Sequence, residues 1–100
     1  MKFGEHIREL RESKELLQRQ LAASLEIDTP MFSKIERGER KAKKEQVELL
    51  AELLETERKP LLTLWLADQI IDLVSTNEFA LDAVRLVDKH LNRQEKKYGA

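Results

Sequence analysis

Apolar residues in the first half of the chain recur at three- and four-residue intervals, and short polar breaks divide them into segments. Phe3, Ile7 and Leu10 predict a first helix over about Phe3 to Glu15, with the aliphatic stem of Lys14 extending its face. Leu21, Ala22 and Leu25 predict a second over about Gln18 to Leu25, and "EID" follows as a tight corner. Asp28 is suited to cap a third helix over about Thr29 to Glu36, with Phe32 and Ile35 on its apolar side. Pro30 is tolerated there because first-turn N–H groups have no intrahelical partner, and Gly38 is free to take the positive φ that ends a helix. Val47, Leu50, Ala51 and Leu54 mark a fourth helix over about Lys43 to Leu54. A fifth runs over about Pro60 to Val74, with Pro60 in the first helical position. "STN" then breaks the pattern, with Ser75, Thr76 or Asn77 as cap for a sixth helix over about Glu78 to Gln94, and the tail from Glu95 is expected to fray. No stretch alternates like a strand, and there is no repeat or low-complexity segment, so the pattern predicts an all-α fold.

The fifth helix departs from the amphipathic norm. "LLTLWLADQIIDLV" is apolar around most of its circumference, interrupted mainly by Asp68, Gln69 and Asp72. Such a helix must be covered on more than one side. One side can pack on the first and fourth helices; the other needs the sixth helix or a second subunit. Leu62, Trp65, Leu66 and Ile70, continued by Phe79, Val84 and Val87 of the sixth helix, are therefore expected to build a dimer contact, with Trp65 at its centre. The expected division is residues 1–58 for a first domain and 59–100 for helices that pack and dimerise.

Composition supports this picture and sharpens one part of it. Leu, Glu, Lys, Arg and Ala, all good helix formers, dominate a chain of 100 residues that has three Gly and two Pro. A chain this short buries a modest core, which favours association. There is no cysteine, hence no disulfide or thiolate metal site. The start, "MKFGEHIREL", has charges where a secretory signal would be apolar, and no apolar run is long enough to span a membrane, so a cytoplasmic protein is expected. The net charge is −1, but Lys34, Arg37, Arg40, Lys41, Lys43 and Lys44 face only Glu36 and Glu39 within one short stretch. Position outweighs the sum: a basic patch on an acidic body is a polarised protein.

Two short helices around a tight corner, the second opening on polar residues, have the sequence shape of a helix-turn-helix. The stretch "LLQRQLAASLEIDTPMFSKIERGER" resembles the lambda-repressor-like family of helix-turn-helix transcriptional regulators, closely over this motif and loosely over Phe3 to Leu54. The resemblance implies a domain of four to five helices, here with a C-terminal helical extension. It implies that the third helix reads DNA with Thr29, Pro30, Met31 and Lys34, that Gln18 grips the backbone, and that Ser33 touches it too. Arg37, Arg40, Lys41, Lys43 and Lys44 would bind phosphates, contacts that fix register and carry little sequence information. It also implies that Arg11 reaches Glu36 and is oriented toward a phosphate. Three departures are visible. Pro30 stands where polar residues are usual and offers only apolar contact, for example to a thymine methyl. Leu17 replaces a Ser or Thr cap, a loss of about 1 kcal/mol. Glu26 stands where Gly is common, costing about 1 kcal/mol if positive φ is required.

Other chemistry finds little support. His6 and His90 are far apart without a ligand cluster, so neither a metal nor a cofactor is expected. The carboxylates fall at surface spacing, Ser33 has no neighbouring base, and no glycine-rich phosphate loop exists, so an enzyme is not expected. The expectation is a regulator binding double-stranded DNA as a homodimer on an inverted repeat, such as the controller of a restriction–modification operon. The alternative is an interaction module or antitoxin that binds a partner protein through the C-terminal helices.

Overall fold

The computed structural model describes residues 2–98. They form six helices, α1 (Lys2–Ser13), α2 (Gln18–Ser24), α3 (Thr29–Glu36), α4 (Lys44–Leu53), α5 (Arg58–Val74) and α6 (Ala80–Tyr98), with no strand among the described residues. The fold is all-α. The chain divides into two compact units, Met1–Gln69 and Ile70–Ala100. The first unit extends past the expected boundary at residue 58 because the start of α5 belongs to its core: Leu61 and Asp68 are buried there.

Helix ends differ from expectation in ways that have local causes. α1 stops at Ser13; Lys14 is exposed and forms an ion pair with Glu55 at 3.6 Å, so its stem does not extend the apolar face. α5 begins at Arg58, which places Pro60 third in the helix, still within the turn whose N–H groups need no partner. α6 begins at Ala80, because Asn77 accepts the Phe79 N–H at 2.8 Å through its side chain and the Ala80 N–H at 3.1 Å through its carbonyl. The helix continues through Tyr98, beyond the expected fraying point; Gly99 and Ala100 lie outside the described residues.

The first four helices all end in the same way. In α2 the Glu26 N–H donates to Ala23 and the Ile27 N–H to Ala22, which satisfies the last carbonyls and turns the chain. Matching pairs of bonds close α1 at Glu15, α3 at Gly38 and α4 at Glu55. The turning residue takes positive φ each time, 56° at Glu15, 58° at Glu26, 52° at Glu55 and 76° at Gly38. Glycine occupies only the last of these, so the other three carry the Cβ strain of the left-handed region. Glu26→Gly should therefore raise stability by about 1 kcal/mol and the melting temperature by about 5 °C, a shift read by thermal denaturation.

Helix starts compensate where standard caps are missing. Leu17 has no side-chain acceptor, but Gln20 reaches back and accepts the Leu17 N–H at 2.7 Å. Gln46 does the same for Lys43 at 2.8 Å before α4. α1 is capped from a distance: the buried Asp68 carboxylate of α5 accepts the Phe3 N–H at 2.7 Å. The core these elements enclose comprises Phe3 and Ile7 of α1, Leu21, Ala22 and Leu25, Phe32 and Ile35 of α3, Ala42, Val47, Leu50, Ala51 and Leu54, and Leu61 of α5.

Candidate nucleic-acid interface

α3 is short, and a helix of eight residues has too few internal bonds to stand alone. It is fixed by its neighbours. Phe32 and Ile35 are buried against Leu21, Ala22 and Leu25, with Ile27 of the corner half-buried beside them. The Asp28 carboxylate accepts the Met31 N–H at 2.7 Å and holds the front of the helix. The opposite side is presented to solvent: Thr29, Pro30, Lys34 and Arg37 are exposed, and Met31 and Ser33 are half-buried.

The rear of α3 is held by a buried carboxylate. Glu36 accepts from Arg11 twice, from Nε at 2.7 Å and from Nη2 at 3.1 Å, and from the Gln18 amide at 2.8 Å. Arg11 spends a further donor on the Leu16 carbonyl at 2.9 Å. One glutamate thus ties α1, the start of α2 and the end of α3 together. The bonds and charge of Glu36 raise the Arg11 pKa against the opposing effect of burial. Gln18 and Arg11, both expected at a DNA backbone, are therefore pre-positioned by an acceptor of their own chain. Arg37 is also engaged: its Nε donates to Glu39 and its Nη1 to the Ser33 hydroxyl. The guanidinium bond lowers the Glu39 pKa, and Lys34 adds to that effect.

The cations after α3 are not strung along a free loop. Arg40, Lys41, Lys43 and Lys44 are exposed, but Ala42 between them is buried in the core. Its carbonyl accepts the Trp65 indole N–H at 2.8 Å. This small residue and the indole of α5 pin the segment, so the lysines on either side project from a fixed backbone.

Arg11, Gln18, Ser33, Glu36 and Arg37, joined by Arg8, line an open pocket of about 250 Å³. Arg8 was not among the residues expected to matter, although its position three residues before Arg11 places both on one side of α1. It is exposed and bonded to Glu12 at 3.2 Å. Gly4 likewise carries no signal in the sequence pattern. A Cβ there would lie 2.3 Å from the Glu36 carbonyl oxygen and 2.6 Å from that of Ile35, so α1 crosses the end of α3 backbone to backbone.

A family model described as a helix-turn-helix domain matches residues 2–64, more than half of the chain. The chain belongs to the helix-turn-helix domain family. That membership places it in a DNA-binding family. No curated protein and no solved structure matches.

The helix-turn-helix match ends just before Trp65, within α5. Of the side chains expected at a dimer contact, Leu62 and Trp65 are half-buried against the helix-turn-helix core of their own chain. Leu66, Ile70, Phe79, Val84 and Val87 are exposed. Among the described residues no group of three or more His, Cys, Asp or Glu could hold a metal ion, and no helix is long and apolar enough to cross a membrane.

Proposed function

We propose that this chain is a sequence-specific transcriptional regulator of the lambda-repressor-like type. It lays α3 in the major groove of double-stranded DNA and binds an inverted repeat as a cytoplasmic homodimer. The observation that carries the proposal is the two-sidedness of α3. Phe32, Ile35 and Glu36 are buried, while Thr29, Pro30 and Lys34 stand free on the other side of the same two turns. Thr29 and Met31 then read base edges, and Pro30 offers apolar contact. Gln18, Arg11, Ser33 and Arg37 line the pocket that would accept a backbone phosphate, with Arg8 as an additional donor. Arg40, Lys41, Lys43 and Lys44 follow the backbone beyond it. Two copies would enter successive major grooves about 34 Å apart. The resemblance favours a self-regulating controller of a restriction–modification operon.

The test is duplex binding by fluorescence anisotropy, using genomic fragments selected by the purified protein. Affinity should fall steeply with salt, by about 0.9 logarithmic units per tenfold salt for each phosphate neutralised. Lys34→Ala with Arg37→Ala should reduce that slope by about 2 and remove detectable binding at physiological salt, while the melting temperature stays at the parent value. Salt-independent retention, or retention unchanged in the double variant, would reject α3 as the docking element.

A second reading has one observation behind it. No described side chain from Ile70 to Gln94 is buried, although large apolar residues are frequent there. A surface of that kind suits a partner protein, as in an antitoxin. The two readings separate on the same measurement, because an interaction module that had lost its DNA face would show no duplex binding at low salt.

A further inference from the structure

The second unit has no core of its own. Ile70, Ile71, Leu73, Phe79, Leu81, Val84, Leu86, Val87 and Leu91 are all exposed. Leu81 apart, the apolar residues of α6 and of the turn before it fall on two adjacent stripes with the four-three-four spacing of a helix seam. Ala80, Val84, Val87 and Leu91 form one. Phe79, Ala83, Leu86 and His90 form the other, rotated from it by about 100°. The second stripe is the barer: Phe79 is 63% and Leu86 70% exposed, against 38% for Val84 and 51% for Val87.

An open groove of about 330 Å³ lies on that barer side, lined by Leu86, Val87, Lys89, His90 and Arg93. Residues 86, 89, 90 and 93 are spaced as the four that frame a hole for a knob from a facing helix. Phe79, two turns before Leu86 on the same side, is the large knob. It cannot reach the groove of its own helix, but a second copy can supply it if the two helices run in opposite directions. The charges beside the seam favour the same arrangement. Glu78 and Asp82 flank its beginning, and Lys89 and Arg93 flank the groove. When Phe79 lies over the middle of the groove of an antiparallel copy, Asp82 comes level with residues 86 and 87 of that copy, about 4 Å along the axis from Lys89 on the same flank, a gap that the long lysine side chain spans. Parallel pairing would put this flank of the two copies on opposite sides of the seam, so neither pair would form.

We propose that α6 pairs antiparallel with α6 of a second copy of this chain, with Phe79 filling the groove between Leu86 and Arg93 and Asp82 facing Lys89. The proposal rests on the homodimer reading given above and adds to it the contact surface and its direction. The contact is isologous, so each charge pair occurs twice.

Sedimentation equilibrium of the full chain supplies the test. The parent should be a dimer. Asp82→Lys alone and Lys89→Asp alone should each weaken dimerisation by about tenfold, since each turns two attractive pairs into repulsive ones, and combining them should restore the parent affinity. The chain has no cysteine, so a disulfide experiment is clean. Asp82→Cys with Lys89→Cys should oxidise to a covalent dimer, and neither single variant should. Within one helix the two positions are about 10 Å apart, too far to bridge. A dimeric parent in which the single cysteines cross-link to themselves, or in which the double reversal fails to rescue, overturns the antiparallel seam and leaves the homodimer reading intact. A parent that stays monomeric, or assembles only with a different protein, overturns both.

Discussion

Gly4→Ala should lower folding stability by about 3 kcal/mol and the melting temperature by about 15 °C. Two effects compete at this position. Alanine is the better helix former by about 1 kcal/mol, which alone would stabilise α1. Against it, the new methyl group would lie 2.3 Å and 2.6 Å from two backbone carbonyl oxygens of α3. A side chain could swing away from such a clash, but a backbone carbonyl moves only if the whole helix moves. Overpacking costs of about 1–3 kcal/mol apply where neighbours can adjust, so a contact with fixed backbone belongs at the upper end. Displacing α1 also pulls Arg11 away from Glu36, which should loosen DNA binding in step with stability. Thermal denaturation measures the first effect and anisotropy the second. A variant that melts with the parent would mean that α1 and α3 are further apart than described.

Glu36→Ala should cost about 3 kcal/mol, more than any exposed ion pair in the chain could. The Glu36 side chain is 3% and the Arg11 side chain 12% exposed, so removal of the carboxylate strands a guanidinium that water reaches poorly, and it takes the acceptor from Gln18 as well. The informative companion is the double variant Arg11→Met with Glu36→Leu. It removes both charges together, so no uncompensated ion remains, and it should recover about 2 of the 3 kcal/mol. Denaturant titration of both variants completes the comparison. If the double variant is no more stable than Glu36→Ala, the cost lies in lost packing and not in the stranded charge.

The all-α class, the six helices and the clamped face of α3 were legible because each rests on local periodicity. Phe32 and Ile35 announce their side by spacing, Asp28 its capping by position, and Gly38 its turn by its lack of a Cβ. The link between Arg11 and Glu36 was legible only through resemblance, since nothing local joins residues in different helices. What stayed hidden depends on tertiary approach. Asp68 reads as a polar interruption in an apolar helix, yet it caps a helix 65 residues away in sequence. Gly4 reads as a weak helix residue, yet it sets how closely α1 and α3 cross. Trp65 reads as a core or dimer anchor, and no local pattern shows that its indole N–H donates to the Ala42 carbonyl, 23 residues earlier. A hydrophobic pattern tells which side of a helix is covered and is silent on what covers it.

The bond from Trp65 to Ala42 has a practical consequence. The chain has a single tryptophan, and its indole is attached to the backbone between Lys41 and Lys43, beside the cations proposed to follow the DNA strand. Ultraviolet emission from this residue therefore watches the docking surface from behind, with no label attached. Its wavelength and intensity should respond when that surface closes on a duplex, and a stopped-flow trace of the unmodified protein would time the event.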